Sequence, residues 1–170
     1  MTFRRGAGIL QTFLRLPAAK PVPGSDEPKI MAAESNVQLK IPSEIRMVDM
    51  AHAAAERLAG AAGFADEASL DFGIAVREAV INAIVHGNRR EPGTEVDIRF
   101  RLRADGIEVV VRDRGNGFDP VASPDPTAAS NLLNTSGRGL LLVRAFVDRV
   151  EFRRPSGGGM EVVLEKSKPE

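Results

Sequence analysis

The sequence contains no cysteine, no tryptophan and no tyrosine, and only two histidines. Without cysteine there are no disulfides and no thiolate chemistry, and two histidines alone argue against a structural zinc site. Lysine plus arginine equals aspartate plus glutamate at 23 each, so the net charge gives no global attraction to nucleic acid or acidic lipid. No apolar run approaches the roughly 20 residues of a membrane span. We therefore expect a cytoplasmic protein with no direct nucleic-acid contact and no membrane span.

Residues 1–33 differ in composition from the rest of the chain. They contain four prolines and show little sustained periodicity, and residues 1–24 carry basic side chains but no acidic ones. Such a segment is typical of a disordered tail followed by a linker. The alternative is a basic amphipathic helix that docks on a partner or on an anionic membrane surface. The sequence therefore predicts a tail over residues 1–33 and one domain over residues 34–167.

The domain alternates between two kinds of hydrophobic pattern. Apolar residues recur with a period of two, as in strands, over 37–41, 95–103, 107–112, 149–153 and 160–166. Helical patterns cover 43–62, 66–89 and 140–147, with Ser43 and Asp66 as expected N-caps and Gly87 as the expected end of the second helix. This order predicts an α+β fold, a two-layer sandwich in which helices cover one face of a mostly antiparallel sheet.

The helix predicted over residues 66–89 is almost entirely apolar, which is typical of a buried helix. Three polar residues interrupt it at intervals of four, namely Glu78, Asn82 and His86. At about 100° per residue they share a sector of about 80° on one side of the helix. Buried polar groups are costly unless they are satisfied by the protein or by a ligand. From the helix alone, a structural network is the favoured interpretation.

Two glycine-rich motifs change that interpretation. The sequence DRGNGF, residues 113–118, directly follows a predicted strand, and SGRG, residues 136–139, directly precedes an apolar helical run. Each motif alone is weak, because glycine after a strand often marks only a turn. The ordered set of E-x-x-x-N-x-x-x-H-G, D-x-G-x-G and G-x-G before a helix is much more specific. It resembles the N, G1 and G2 boxes of the Bergerat ATP-binding fold, which histidine kinases, gyrase, Hsp90 and MutL share.

Within that fold, the chain is most similar to the anti-sigma factor serine kinases of bacteria, over about residues 35–166. The resemblance implies ATP and Mg²⁺ as cofactors. It implies that Asp113 accepts a hydrogen bond from the adenine amino group, while Gly115 and Gly117 let the ring approach the backbone. One residue departs from the family pattern. Met160 follows Gly159, where the family commonly has a threonine near the adenine, and this departure bears on nucleotide affinity.

The resemblance also assigns the phosphate end of the site. Free amides of Gly137 and Gly139 at a helix start suit a triphosphate, and Arg138 either adds charge there or points to a protein partner. The amide oxygen of Asn82 suits Mg²⁺, a hard ion that takes few protein ligands. Loop 118–135 is expected to close over the phosphates.

Glu78 corresponds to the family's general base, which takes a proton from a serine hydroxyl or from water. His86 is interpreted as a residue that caps the helix or supports the site, and His52 as a surface or boundary residue.

Three functions are considered. The first is an anti-sigma serine protein kinase, for which the resemblance implies a sigma factor, a serine-phosphorylated antagonist protein and a homodimer. The second is a nucleotide-binding interaction module that does not transfer phosphate. The third, a detached catalytic domain of a histidine kinase, is less well supported, because no phospho-acceptor helix precedes the domain.

Overall fold

The computed structural model describes residues 34–115 and 135–169. Its elements follow the predicted order: β1 (Ser35–Pro42), α1 (Val48–Ala61), α2 (Asp66–Asn82), β2 (Glu95–Leu102), β3 (Gly106–Arg112), α3 (Thr135–Phe146), β4 (Arg149–Arg153) and β5 (Glu161–Ser167). A 3₁₀ turn, Ile45–Met47, precedes α1, and a π-helix, Ala83–Gly87, continues α2. The predicted tail over residues 1–33, Gly117 and the loop 118–135 except Thr135 lie outside the described residues.

The described strands form one antiparallel sheet in the order β1-β2-β3-β5-β4. The predicted alternation in β2 is confirmed, because Val96, Ile98 and Phe100 are buried while Arg99 and Arg101 are exposed. Successive side chains of a strand point to opposite faces, so this pattern fixes which face of the sheet is covered. The antiparallel, one-sided sheet that the sequence predicts is therefore present.

The helices form the second layer over the apolar face of the sheet. Phe72 and Val76 of α2 are fully buried and belong to the same hydrophobic cluster as the inward side chains of β2. On α1 the buried side chains that meet α2 are small, with Ala51, Ala55 and Ala59 at zero exposure. Small residues at four-residue spacing let two helices approach closely. This packing holds α2 between α1, α3 and the sheet, and the predicted two-layer α+β fold is confirmed. Within the described residues, no helix has the length and apolarity to cross a membrane.

Two predicted helix caps are wrong. Helix α2 begins at Asp66, but its N-cap is Ala65, in an extended conformation and without a side-chain hydrogen bond to the helix. Ser43 does not cap α1 either. Its side chain is buried and accepts a hydrogen bond from Asn88 Nδ2 at 2.8 Å, while its N–H donates to the carbonyl of Thr94. The Ser43 hydroxyl, which the local pattern predicted as a helix cap, thus takes part in a tertiary hydrogen bond instead.

The second helix does not continue as an α-helix to residue 89. It becomes a π-helix over Ala83–Gly87, and the N–H groups of Asn88 and Arg90 donate to the carbonyls of Ala83 and Ile84. Short π-helical segments are frequently found at functional sites. The helical segment ends at Gly87, as predicted, and the residues in the left-handed conformation are Arg89 and Arg90, with φ of 52° and 57°.

Replacing Arg90 by glycine is expected to stabilise the protein. A left-handed conformation costs a side-chain-bearing residue about 1–2 kcal/mol, and the greater freedom of glycine in the unfolded chain offsets part of that gain. We expect Arg90→Gly to raise the free energy of unfolding by roughly 0.5–1 kcal/mol, measured by urea denaturation. Arg90→Ala is the matched control, because it removes the same charge and keeps the Cβ. An equal gain from both variants would show that the charge, and not the backbone conformation, is responsible.

Candidate functional site

A pocket opens where the end of β3 meets α2 and α3. Nine residues line it: Ala79, Asn82, Ala83, Asp113, Leu140, Val143, Phe152, Met160 and Val162. Of these described residues only Asn82 and Asp113 carry polar side chains, so this part of the pocket is an apolar slot with two hydrogen-bonding groups. Such a slot suits a flat heterocycle that needs apolar faces and a few directed polar contacts. The described walls leave a free cavity volume of about 20 Å³.

Asp113 is the buried acceptor of this slot. It follows β3, its exposure is 4%, and its N–H donates to the carbonyl of Met160 at 3.0 Å. Burial raises the pKa of the Asp113 carboxyl, while the N–H groups of Gly115 and Met160 and the charge of Arg112 act in the opposite direction. Because the folded-state pKa lies above the unfolded one, ionised Asp113 costs the folded protein stability. That cost is absent at pH values below the unfolded pKa and complete above the raised folded one.

Three glycines surround Asp113 so closely that no side chain fits. A Cβ on Gly87 would lie 2.3 Å from Cγ of Asp113, and one on Gly159 would lie 2.1 Å from its carbonyl oxygen. A Cβ on Gly115 would lie 1.7 Å from the carbonyl oxygen of Gly87. These distances are far below van der Waals contact, and Gly159 also has a φ of 80°. The structure thus gives Gly115 a packing role against the π-helix, in addition to the ring contact predicted for it.

Glu78 and Asn82 lie one turn apart on α2, as predicted. Asn82 lines the pocket, and Glu78 reaches toward α3, where a Cβ on Gly139 would lie 2.8 Å from Glu78 Oε2. The side chain of Glu78 is 19% exposed, so it is accessible at the rim of the site. The E-x-x-x-N segment, Asp113 and the beginning of α3 are therefore brought together, as the resemblance requires.

The glycines of the second motif lie inside α3 and not before it. The helix begins at Thr135, so Gly137, Arg138 and Gly139 belong to its first two turns. Glycine costs about 1 kcal/mol relative to alanine within a helix, which is why the pattern predicted a start at Leu140. A helix leaves only its first amides free, so Gly137 can offer its N–H to an anion, whereas that of Gly139 is used within the helix. The expected free amide on Gly139 is therefore wrong, and this glycine instead makes room for Glu78.

Asn88 is a polar residue of the site that the sequence did not reveal. Its exposure is 2%, and its Nδ2 donates to Ser43 Oγ at 2.8 Å and to the carbonyl of Glu95 at 3.0 Å. Its Oδ1 accepts the N–H of Arg114 at 3.0 Å. A single asparagine after glycine carries no sequence signal that its side chain is buried. Asn88 fixes the backbone that follows Asp113.

The two histidines lie outside the slot. His86 is half buried in the π-helix and is absent from the lining of the pocket. His52 is half buried on α1, where its ring faces Gly73 of α2 and its Nε2 lies 3.7 Å from Glu56 Oε2. The boundary position predicted for His52 is confirmed, and the supporting role of His86 stays a prediction.

A family model described as a histidine kinase-like ATPase domain matches residues 41–166. The chain belongs to this family. Among its relatives is the serine-protein kinase RsbW of Bacillus velezensis, 31% identical over 76% of this chain and 84% of the relative. The RsbW of Bacillus subtilis is 29% identical over 71% of this chain and 79% of the relative.

A solved structure supports the same fold. A Mycobacterium tuberculosis protein described by its RsbU and RsbW domains superimposes with a TM-score of 0.56 and 19% identity, over 79% of this chain and 33% of that longer one. Membership of the histidine kinase-like ATPase family confirms the predicted fold and the predicted class, an ATP-binding domain of kinase type. The individual site residues stay predictions.

Asn82→Ala is expected to remove the magnesium-dependent part of ATP binding. Among the described residues that line the pocket, Asn82 provides the only uncharged polar side-chain acceptor, and it lies on the helix that carries Glu78. We expect at least a tenfold loss of Mg-ATP affinity by calorimetric titration, or about 1.4 kcal/mol. Asn36→Ala, on the exposed side of β1, is the matched control, and circular dichroism checks the fold of both variants. Unchanged affinity in Asn82→Ala would remove this residue as the metal ligand.

Proposed function

We propose that this protein is an ATP-dependent serine protein kinase of the anti-sigma type. It would hold a sigma factor away from RNA polymerase and phosphorylate a small antagonist protein on serine. It would act in the cytoplasm as a homodimer. The kinase class is that of its RsbW relatives, whereas the partners, the dimer and the location are proposals.

One observation carries the proposal. The Glu78 carboxylate packs against the beginning of α3, while Asn82, one turn further along α2, lines the same slot as Asp113. From Glu78 through Asn82 to Asp113, a base, an amide oxygen and a buried acceptor thus follow one another in the order in which a hydroxyl, a phosphate chain and an adenine would need them. Phosphoryl transfer requires little more from a protein than positioning, charge neutralisation and a base.

The residues fit a nucleotide and Mg²⁺ as follows. Asp113 would accept from the adenine amino group between apolar walls, with Gly115 and Gly117 beside it. Gly137 and Arg138, in the first turn of α3, would hold phosphate oxygens through a free amide and a positive charge. Asn82 would hold Mg²⁺, which supplies positive charge that offsets the charge of the phosphates.

Glu78 would act on the acceptor. As the serine oxygen forms its bond to the γ-phosphorus, the bond from that phosphorus to the β–γ bridging oxygen breaks, and ADP leaves with the electron pair. The hydroxyl proton passes to the carboxylate of Glu78. The position of Oε2 supports this role, because it faces the beginning of α3, where the phosphates would lie.

The test uses the full chain as a bait. Purified protein with Mg-ADP or Mg-ATP captures partners from a lysate of its source, and the captured proteins are then incubated with γ-labelled Mg-ATP. We expect a captured protein to acquire an acid-stable, alkali-labile phosphate, as phosphoserine requires. An acid-labile phosphate would indicate histidine chemistry and overturn the serine kinase.

One observation favours the second candidate, a nucleotide-binding module without transfer. Met160 is only 3% exposed and lines the slot at the position where the family commonly has a threonine, so a hydroxyl that would help to hold the adenine is missing. If the same assay shows nucleotide-dependent capture of a partner that never acquires label, the protein is this binding module and the kinase proposal is wrong.

A further inference from the structure

The arginine directly before the proposed base makes an unusual contact with it. Arg77 Nη1 lies 3.2 Å from Glu78 Oε1. Side chains of consecutive residues point about 100° apart on a helix and do not normally face each other. The long side chain of Arg77 nevertheless contacts Glu78, although it is 42% exposed and water could solvate its charge instead.

Arg77 has a second acidic neighbour, which it approaches less closely. Its Nε is 4.0 Å from Asp49 Oδ1 in the first turn of α1. Asp49 is 89% exposed, so this pair is solvated and contributes little. The contact with Glu78, whose side chain is only 19% exposed, is closer and better shielded. The guanidinium thus engages the proposed base in preference to the solvated carboxylate.

The two oxygens of Glu78 consequently have different surroundings. Oε1 accepts from Arg77, whereas Oε2 lies over Gly139, at 2.8 Å from the position that a Cβ would occupy there. The last torsion of a glutamate is broad and roughly two-fold, so a free carboxylate would rotate. A donor on one oxygen and backbone packing on the other restrict that rotation and keep Oε2 toward the beginning of α3.

We infer that Arg77 is a positioning residue for phosphoryl transfer: it holds Oε1 of Glu78 so that Oε2 faces the acceptor hydroxyl. The inference rests on the proposed function, because it assumes that Glu78 is the base. Arg77 is absent from the described lining of the pocket, so we expect it to act through Glu78. Its removal should therefore slow the chemical step without weakening the binding of ATP.

The experiment measures phosphoryl transfer from γ-labelled Mg-ATP to the captured partner, and to water when no partner is added. Arg77→Ala is expected to lower kcat by about 10- to 100-fold, the cost of a misplaced catalytic group, with a Kd for Mg-ATP that stays within about threefold. Arg77→Lys keeps the charge and is expected to recover part of the loss. Arg57→Ala, an exposed arginine on α1, is the matched control and should behave as the parent.

A double variant separates positioning from other roles. In the Glu78→Gln background, Arg77→Ala is expected to change kcat by less than about twofold, since the group it positions has lost its function. An equal loss in both backgrounds, or a parallel loss of ATP affinity, would overturn the inference by showing that Arg77 acts on the phosphates or on the fold. A parent that transfers phosphate and an Arg77→Ala variant that does so equally fast would overturn this inference alone. A parent without any transfer would overturn the proposed function as well.

Discussion

Glu78→Gln is expected to slow phosphoryl transfer by about 10²–10⁴-fold, the usual contribution of a general base. Glutamine keeps the size of the side chain and can still accept from Arg77 through its amide oxygen, but it cannot take a proton. The affinity for Mg-ATP should stay close to that of the parent, because Glu78 is absent from the described lining of the slot.

The measurement is single-turnover transfer of labelled γ-phosphate, with parent and variant compared at saturating Mg-ATP. Glu67→Gln, in the exposed first turn of α2, is the matched control for loss of a carboxylate. If Glu78→Gln transfers phosphate as fast as the parent, Glu78 is not the base. If the variant loses ATP affinity in proportion to its rate, the carboxylate is part of the binding site instead.

Gly115→Ala is expected to have the largest effect on the fold of the site. The added Cβ would lie 1.7 Å from the carbonyl oxygen of Gly87 and 3.0 Å from the nitrogen of Asn88. Both are backbone atoms, so no rotamer change relieves the overlap and the segment around Asp113 must move. We expect a loss of about 3 kcal/mol in the free energy of unfolding and loss of ATP binding, because Asp113 moves with it.

Urea denaturation and calorimetric titration test both effects. Gly157→Ala is the matched control in a nearby loop, where the new Cβ would meet only a side-chain atom of Arg112 at an ordinary 3.6 Å. Normal stability together with normal ATP affinity in Gly115→Ala would contradict the packing role assigned to this glycine. Normal stability with lost affinity would show that the segment yields easily and that its position matters only for the ligand.

Features of the fold could be predicted from the sequence where the identities of successive residues encode them. Alternation in β2 placed Val96, Ile98 and Phe100 correctly, because the covered face of a sheet is encoded residue by residue. The change from α-helix to π-helix at Ala83 was not predictable, because hydrogen bonds from Asn88 and Arg90 to carbonyls of the π-helix determine it. Backbone pairings of that kind leave no pattern in the identities of the residues.

The candidate site was predictable to the extent that its motifs are specific. Asn82 and Asp113 were expected together from the ordered set of motifs, and they line one slot. The contact between Glu78 and Gly139 joins residues of two helices, and spacing along the chain contains no information about it. The contact between Arg77 and Glu78 was not predictable either, because consecutive residues on a helix do not normally face each other.

The buried amide of Asn88 has a consequence for motion. Through one side chain it joins the turn after β1, the beginning of β2 and the residue after Asp113, by bonds to Ser43, Glu95 and Arg114. Local opening of any of these segments would leave a buried donor or acceptor without its partner, at a cost of about 1–3 kcal/mol. The segments are therefore disposed to open together, as one cooperative unit of the native state. A ligand that orders the backbone beside Asp113 would therefore slow the local opening of the turn at Ser43, which does not line the ligand pocket.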